Sequence, residues 1–556
     1  MQIILYSFCI GNSSRRLKSR APLPFLLWKQ EPKKKHALIE YANGKSLQEI
    51  NGTVKVPEGM GFWKTLFMYS GPGALVAVGY MDPGNWSTSI TGGQNFGYLL
   101  MSIILISSLI AMLLQYMAAK LGIVTQMDLA QAIRARTSKT LGIVLWITTE
   151  LAIMATDIAE VIGAAIALYL LFHIPLLIAV LITVLDVLVL LLLTSIGFRK
   201  IEAIVVCLIC VIFLVFAYEV ALSNPRWSQV FLNLVPNIKT VETHPYVGGQ
   251  TPLSGALGII GATVMPHNLY LHSAISQTRD TDNNDEDSVA RSVKFSAWDS
   301  NIQLSMAFFV NALLLIMGVA VFKSGAVKDP SFFGLFDALK NPQFMTNPLL
   351  ASVAKTGVLS ILFAVALLAS GQNSTITGTL TGQVVMEGFI HMRMPLWARR
   401  LVTRVISIIP VVICVLLSSG KPAVQEHEAL NTLMNNSQVF LAFALPFSML
   451  PLLIFTDSKF EMRGKRFVNS LWVKVAGWAS VIALTFLNLY GLPSQIVSFF
   501  GDNPTPAQTD MGNGIAYILI VLVLALLAWV MWDLYKSNKR FMREHENAEK
   551  EIDQYE

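Results

Sequence analysis

The chain has little charge, and this scarcity excludes most classes of soluble protein. Only 14% of its 556 residues are Asp, Glu, Lys or Arg, whereas a soluble domain has about 25%. Hydrophobic residues make up 54% of the chain, and the mean hydropathy is +0.56. So much apolar surface cannot be hidden inside a water-soluble globule. The composition therefore predicts an all-α polytopic membrane protein, in which each spanning helix needs about 20 apolar residues.

The chain also lacks the short motifs of several enzyme classes. It has no H-E-x-x-H, no G-x-S-x-G and no phosphate-binding loop, which argues against a membrane enzyme or an ATP-driven pump. We therefore predict no enzymatic activity and no resident cofactor. The net charge of +6 is spread between hydrophobic runs, so we predict no nucleic-acid partner.

Cysteine is scarce, with four residues in the whole chain. Cys207 and Cys210 form a C-x-x-C motif, but it lies inside a hydrophobic run and has no second pair. We interpret these cysteines as packing residues, because a metal or redox role would need further ligands.

Twelve long apolar runs are present instead, and they predict twelve transmembrane helices. The spans fall at about residues 69–91, 98–121, 142–171, 175–196, 200–222, 254–275, 296–322, 355–378, 402–419, 437–456, 474–492 and 514–535. The predicted organisation is a cytoplasmic, mostly disordered tail (1–64), a transport core (65–456), helices 11 and 12 (457–536) and a cytoplasmic C-terminal tail (537–556).

The loops carry an orientation signal. Lys and Arg are concentrated in the loops that follow the even-numbered spans and in the two tails. Positive residues favour the cytoplasmic side of a membrane. Both termini are therefore predicted to be cytoplasmic, which an even number of spans requires.

Two of the predicted spans are interrupted by proline and polar residues. The first contains Asp82-Pro83-Gly84-Asn85 and the sixth contains Met265-Pro266-His267-Asn268. Each is the first span in a set of five, and an odd number of spans inverts the second set relative to the first. Interrupted helices at matching positions in two halves are the best sequence indication of a transporter binding site.

These interruptions predict a cation site. Proline lacks an N–H group, so Pro83 frees the carbonyl of Gly79 and Pro266 frees that of Ala262. Asp82 adds an anionic oxygen, Asn85 adds a neutral oxygen and Met265 adds a thioether. Carboxylate and carbonyl groups suit Mn²⁺, Mg²⁺ and Ca²⁺, and a thioether adds a preference for softer transition metals.

Each of these residues also has a simpler interpretation. A single proline in a membrane helix is usually a tolerated kink, and a single methionine usually packs or faces lipid. Asp82 is the strong member, because an acidic residue inside a membrane is functional by default. His267 and His272 are five positions apart and lie about 140° around a helix. We therefore favour proton handling or hydrogen bonding for both over metal ligation.

The third span carries a stripe of acidic residues. Glu150, Asp157 and Glu160 share one helical face, which is typical of a proton path or a water-filled cavity. The alternative is a set of internal salt bridges, and the candidate partners are Arg399, Arg400 and Arg404. Asp186 and Asp299 are further acids in apolar runs, and we assign no role to Asp186. Gln438 is a candidate for one more oxygen at the cation site.

Three motifs resemble those of the natural resistance-associated macrophage protein (Nramp) family. They are Gly79-Tyr80-Met81-Asp82-Pro83-Gly84-Asn85-Trp86, Val264-Met265-Pro266-His267-Asn268, and the segment from Gly371-Gln372-Asn373-Ser374-Thr375 to Gln383. They occur in the order and spacing of that family, and the resemblance covers about residues 60–535. It is closest to the bacterial proton-coupled manganese transporters.

The resemblance implies a LeuT-like fold with two inverted repeats of five helices. It also implies Mn²⁺ or Fe²⁺ as cargo, with protons as the coupling ion, in a bacterial plasma membrane. The family's metal ligands fall on Asp82, Asn85, Met265 and the carbonyls of Gly79 and Ala262, with Gln438 joining in closed states. Its proton-pathway acids fall on Asp157 and Glu160, and its sixth-helix histidines on His267 and His272.

The function expected from these observations is import of a divalent transition metal by proton symport with alternating access. We expect the chain to act as a monomer in the lipid bilayer. A proton- or sodium-coupled amino-acid symporter is the main alternative, since it shares an interrupted first helix. Such a symporter needs neither a mid-membrane Asp nor a Met-Pro-His sequence. A channel is a further alternative, although two matched interruptions favour a carrier.

Overall fold

The protein is described here by a computed structural model. It describes residues 40–41, 44, 46–57, 59–186, 198–223, 225–247, 250–322, 329, 331–341, 352, 354–500 and 504–555. Within these ranges, nine helices are long and apolar enough to cross a bilayer, as judged by length and composition. The predicted all-helical membrane architecture is confirmed.

The described helices are numbered in chain order. They are α1 (Phe62–Tyr69), α2 (Pro72–Gly79), α3 (Pro83–Phe96), α4 (Met101–Thr125), α5 (Leu129–Arg136), α6 (Lys139–Phe172), α7 (Leu176–Ile182), α8 (Phe198–Ser223), α9 (Trp227–Leu232), α10 (Pro252–Thr263), α11 (Pro266–Ile275), α12 (Glu286–Phe322), α13 (Phe332–Ala338), α14 (Val358–Ile390), α15 (Leu396–Ser418), α16 (Ala423–Asp457), α17 (Leu471–Ser498) and α18 (Pro506–Tyr555).

The described residues also form four short strands, together with 3-10 helices at Gly97–Leu100, Thr183–Leu185, Ile238–Val241 and Ser276–Thr278. The strands are β1 (Glu40–Tyr41), β2 (Val54–Lys55), β3 (Arg279–Asp280) and β4 (Met392–Arg393). β1 pairs with β4 in antiparallel orientation, and β2 pairs with β3 in parallel orientation. Both pairs join a segment near the N-terminus to a segment that immediately follows a helix of the bundle.

Three of the twelve predicted spans are not among the nine long helices. The first predicted span is divided into α2 and α3, and the sixth is divided into α10 and α11. The fourth is described only as far as Asp186, and residues 187–197 lie outside the described residues. The count of twelve therefore stays a prediction.

Local chemistry explains where the divided helices restart. Asp82 has an extended backbone, and its side chain accepts a hydrogen bond from the backbone N–H of Asn85 at 2.9 Å, which caps α3. Pro83 and Pro266 stand at the first positions of α3 and α11, where the missing N–H group costs nothing. The sequence thus ends one half-helix and starts the next at both interruptions.

The divided helices lie in the middle of the bundle. Every residue of α2 and every residue of α11 is buried. α12 packs against α2, α3 and α4, α16 packs against α10 and α6, and α14 packs along α6. By contrast, α17 and α18 lie at the periphery, where large apolar side chains such as Phe486 and Val521 are each 64% exposed.

A segment before the first helix is packed against one end of the bundle. We call residues 46–57 the N-terminal strap. Leu47 is 1% exposed, and its backbone N–H donates to Glu387 Oε2 at 2.9 Å. Ser46 Oγ donates to Asp128 Oδ2 at 2.6 Å, and the backbone N–H of Gly52 donates to the carbonyl of Gln277 at 3.1 Å.

The strap differs from the mostly disordered tail predicted for residues 1–64. Its polar side chains and backbone groups bind partners at the ends of α4, α11 and α14, and such partners cannot be recognised in a local stretch of sequence. Most of the predicted tail, residues 1–39, lies outside the described residues.

Candidate functional site

Asn85 lies where the two interruptions meet. Its Nδ2 atom is 3.2 Å from the carbonyl oxygen of Gly79, 2.7 Å from that of Ala262 and 2.7 Å from Asp82 Oδ1. Asp82 is 0% exposed and Asn85 is 1% exposed. The two carbonyl groups at the interruptions and one carboxylate oxygen therefore converge on a single buried nitrogen atom.

This cluster has more acceptors than donors. An amide NH₂ group has two hydrogens, but three oxygen atoms surround Nδ2 of Asn85. The second carboxylate oxygen of Asp82, Oδ2, has no hydrogen-bond partner among the described residues. Buried acceptors without donors are costly, and a small cation at this position would satisfy them.

Met265 supplies a sulfur atom beside the cluster. It is 0% exposed and has an extended backbone at the start of α11, three residues after Ala262. Asn268 Nδ2 lies 3.6 Å from the sulfur. The thioether therefore contacts a polar side chain in addition to its packing contacts.

Gln438 of α16 covers α3 at Gly84. A Cβ atom at Gly84 would lie 2.1 Å from Gln438 Nε2, so only glycine allows this close approach. Gln438 is 0% exposed, and its Oε1 atom has no partner among the described residues. A second unsatisfied side-chain oxygen therefore lies next to the interruption of the first helix.

The described residues contain no group of three or more His, Cys, Asp and Glu side chains placed to hold a metal ion. The site around Asp82 has one carboxylate, and its other polar atoms are neutral. A resident metal centre normally has several strong side-chain ligands. One charge and several neutral donors are better suited to an ion that is bound and released.

The predicted acidic stripe on α6 is paired with arginines of α15. Arg400 donates to Asp157 Oδ1 at 2.5 Å and to Glu160 Oε2 at 2.8 Å, and all three residues are 1% exposed. Arg399 donates to both carboxylate oxygens of Glu150 at 2.7 Å. The alternative of internal salt bridges therefore matches the geometry, although ion pairs do not exclude proton transfer.

No role was predicted for Asp186, but the structure brings it into this network. Arg400 lies 3.2 Å from Asp186 Oδ2, and Arg404 also donates to that oxygen. Arg404 is 3.5 Å from Glu160 Oε2, so it links the two carboxylates. The presence of Asp186 in an apolar run was a signal that it has a partner. That partner could not be predicted, because Arg400 and Arg404 lie more than 200 residues away in the chain.

The two histidines of α11 have different surroundings. His272 Nδ1 is 3.0 Å from Gln115 Oε1, and Gln115 Nε2 donates to the hydroxyl of Tyr80 at 2.8 Å. His267 is 3% exposed, and its Nδ1 atom has no partner among the described residues. They do not form a pair of ligands at one point, in agreement with their spacing along the helix. Sequence reasoning missed Gln115, which is polar but uncharged in an apolar run.

Two divided helices that meet at a buried polar site, inside a bundle of membrane-length helices, define the class of protein as a multi-pass membrane transporter and not an enzyme. The chain belongs to the natural resistance-associated macrophage protein-like (Nramp) family, whose model matches residues 73–494. The family predicted from the three motifs is therefore confirmed.

Curated relatives are similar over most of their length. A divalent metal cation transporter MntH of Levilactobacillus brevis is 55% identical over 472 residues, which cover 85% of this chain and 97% of that protein. The MntH protein of Pediococcus pentosaceus is 56% identical over 452 residues, covering 81% of this chain and 97% of that protein.

A solved structure is similar in both sequence and fold. The manganese transporter of Eremococcus coleocola, crystallised with an aromatic bis-isothiourea substituted compound, is 68% identical to this chain. The match has a TM-score of 0.83 and covers 89% of this chain and 100% of the other.

Proposed function

We propose that the chain imports divalent transition-metal ions, Mn²⁺ or Fe²⁺, together with protons. The observation that carries the proposal is the convergence of three oxygen atoms, from Gly79, Ala262 and Asp82, on one buried nitrogen. The names of the relatives, which are divalent metal cation and manganese transporters, agree with this cargo.

In the proposed binding step, the ion takes the place of the Asn85 amide nitrogen. The side chain of Asn85 turns about its last torsion, so that its oxygen faces the ion and the NH₂ group leaves. Asp82, the two carbonyls and Met265 complete the set, and Gln438 joins when the site closes. The same oxygens, which now lie 2.7–3.2 Å from Asn85 Nδ2, then lie at roughly 2.0–2.6 Å from the ion, as in metal–oxygen bonds.

The selectivity of the proposed site depends on Met265. Thioether sulfur binds soft transition metals and contributes little to Mg²⁺ or Ca²⁺. Those two ions prefer shells made of oxygen, with six to eight ligands for Ca²⁺. A site with one carboxylate, few other oxygens and one sulfur therefore disfavours both.

The proposed proton path begins at the cation site and follows α6. A bound cation stabilises the Asp82 carboxylate and favours the release of its proton. Glu160, Asp157 and Glu150 span ten residues of one helix, or about 15 Å along its axis. Their arginine partners stabilise the ionised acids between transfers. His267 and His272 are the candidate donors or acceptors on α11.

Alternating access supplies the transport cycle in this proposal. The half-helices of the divided spans tilt, so that the site opens first to the outside and then to the cytoplasm. The chain lies in the plasma membrane with both termini in the cytoplasm, which places the N-terminal strap on the cytoplasmic side. It acts as a monomer, and the metal and the proton are cargo and coupling ion, not cofactors.

Reconstituted uptake tests the proposal. We expect proteoliposomes to take up Mn²⁺ faster when the outside is acidic, with little inhibition by excess Ca²⁺ or Mg²⁺. Asp82→Ala removes the only carboxylate of the proposed site and should abolish uptake. The matched control is Asp337→Ala, which removes an exposed acid on α13 and should leave uptake intact. Normal uptake by Asp82→Ala would exclude the proposed site.

A further inference from the structure

The interruption of the first helix leaves several carbonyl groups without helical partners, and most of them have found other donors. The carbonyls of Ala77 and Val78 accept the backbone N–H groups of Tyr80 and Met81 at 3.0 and 2.9 Å. The carbonyl of Asp82 accepts the N–H of Trp86 at 3.2 Å, which is the first hydrogen bond of α3. Between these groups lie the carbonyls of Gly79, Tyr80 and Met81.

Side chains from other elements occupy two of these three carbonyls. Asn311 of α12 donates to the carbonyl of Tyr80 at 2.9 Å. Ser370 of α14 donates to the carbonyl of Met81 at 2.5 Å, and the indole N–H of Trp86 donates to the same oxygen at 2.9 Å. Among the described residues, the carbonyl of Gly79 has the Asn85 amide as its hydrogen-bond donor, and Asn85 is itself a proposed ligand.

The Ser370 hydroxyl donates to a carbonyl outside its own helix. Buried hydroxyls in membrane helices commonly donate to a carbonyl one turn earlier in the same helix, and Thr379 and Thr381 of α14 do so at 2.7 Å. Ser374 donates instead to a carboxylate, that of Glu160. Ser370 is 1% exposed and reaches a backbone carbonyl at the interruption of the first helix. Its bond to Met81 thus connects α14 to the segment next to Asp82.

We propose that Ser370 is a specificity-determining positioning residue, which withdraws the Met81 carbonyl from the cargo. Asn311 does the same for the carbonyl of Tyr80. This inference rests on the proposed function, because it assumes that the ion binds at Asp82. In this proposal, Asn311 of α12 and Ser370 of α14 limit the number of backbone oxygens that the ion can bind.

The physical consequence concerns hard ions. Ca²⁺ gains from every additional oxygen because it prefers six to eight of them, whereas Mn²⁺ is already served by the smaller set that includes the Met265 sulfur. A carbonyl oxygen has two lone pairs, and Ser370 and Trp86 together occupy both at Met81. Loss of the hydroxyl frees one lone pair, which can then turn towards the ion.

Metal binding to the purified full chain tests the inference. Dissociation constants for Mn²⁺ and for Ca²⁺ are measured by calorimetry on the wild type, Ser370→Ala, Ser370→Cys and Ser370→Thr. We expect the preference for Mn²⁺ over Ca²⁺ to fall about three- to tenfold in Ser370→Ala, which corresponds to one ordinary hydrogen bond. Ser370→Cys keeps the side-chain volume but has only a weak donor, so its preference for Mn²⁺ should also fall. Ser370→Thr keeps the hydroxyl and should retain the wild-type preference.

The control for a merely structural effect is Ser360→Ala. Ser360 is a buried hydroxyl on the same helix that donates to the carbonyl of Gly357 at 2.9 Å, far from the interruption. Ser360→Ala should change the preference by less than about twofold. An unchanged preference in folded Ser370→Ala and Ser370→Cys would overturn the inference. The proposed function is tested separately, because it fails if Asp82→Ala binds Mn²⁺ as the wild type does.

Discussion

At the scale of single residues, the surroundings of Asn85 were predicted in part. Its position three residues after Asp82, together with the two prolines, was enough to predict that carbonyls of Gly79 and Ala262 belong to one site. The sequence did not predict that the amide nitrogen itself holds these oxygens together. That arrangement depends on the relative placement of two residues 177 positions apart, Asn85 and Ala262, which no local pattern contains.

Ser370 and Asp186 were not predicted for the same reason. A serine or a single acid in an apolar run shows that a partner exists, since an unpaired polar group in a membrane is costly. It does not show which of many helices supplies that partner. Proline, in contrast, acts on a carbonyl four residues away, so its effect can be read directly from the chain.

The sulfur of Met265 leads to a prediction about selectivity. Met265→Ala should keep Mn²⁺ uptake but increase inhibition by Ca²⁺, because the remaining ligands are all oxygen. The measurement is Mn²⁺ uptake into proteoliposomes with increasing Ca²⁺ outside. Met449→Ala, at another buried methionine of the bundle, serves as the control for lost packing. If Ca²⁺ remains excluded in Met265→Ala, sulfur is not the filter.

At the scale of elements, the contact of α6 with α15 is held by charge. Asp157, Glu160 and Asp186 share Arg400, and Arg404 joins two of them. Removing one partner of a buried ion pair usually costs about 3–5 kcal/mol, because the other charge is left unpaired. The cluster has three carboxylates for two guanidinium groups, those of Arg400 and Arg404. A proton on one acid changes this balance of charge, so we expect the proposed proton transfer to affect the packing of the two helices.

This coupling predicts the result of neutralising one acid. Glu160→Gln should reduce the proton flux that accompanies Mn²⁺ uptake, because one step of the proposed path along α6 is missing. The pH of the vesicle interior, followed with a fluorescent dye during Mn²⁺ addition, gives the measurement. Glu461→Gln is the control, since Glu461 pairs with Arg136 outside this network. Unchanged acidification in Glu160→Gln would place the proton path elsewhere.

At the scale of the whole molecule, the N-terminal strap is the feature that the sequence predicted least well. Half of its residues are polar, and its apolar residues other than proline are isolated along the chain. Such a composition is typical of a tail. Its structure depends on Asp128, Gln277 and Glu387, which lie on three separate parts of the chain. The core of the bundle was predictable because long apolar runs carry their own signal, whereas the strap is defined entirely by its partners.

Asp128, which accepts a hydrogen bond from Ser46 of the strap, makes the folded protein sensitive to pH. It lies outside the membrane-length helices, between α4 and α5, and burial raises its pKa to about 7 from the usual 3.8. The neighbouring carboxylate of Glu387 adds to the rise, while hydrogen bonds from Ser46, Gln131 and Ala130 oppose it. Arg393 pairs with Glu387 and with Glu49 of the strap.

The sign of the effect follows from the raised pKa. An acid whose pKa is higher in the folded state stabilises that state below its ordinary pKa, and this contribution is lost as the pH rises through the folded value. The folded protein should therefore be less stable at pH 8 than at pH 6. The melting temperature of the purified protein in detergent, compared at the two pH values, measures this, and Asp128→Asn should reduce the difference. An unchanged difference in folded Asp128→Asn would contradict it.

The strap also sets a condition on biosynthesis. Leu47 leaves the ribosome 340 residues before its partner Glu387. At about 5–20 residues per second, this is a delay of roughly 20–70 s. During that time its docking surface is incomplete, so the segment must remain soluble and must not enter the bilayer. No two apolar residues other than proline are adjacent between residues 46 and 57. The order of synthesis therefore limits how hydrophobic this segment can become, however well a more apolar one would pack in the finished protein.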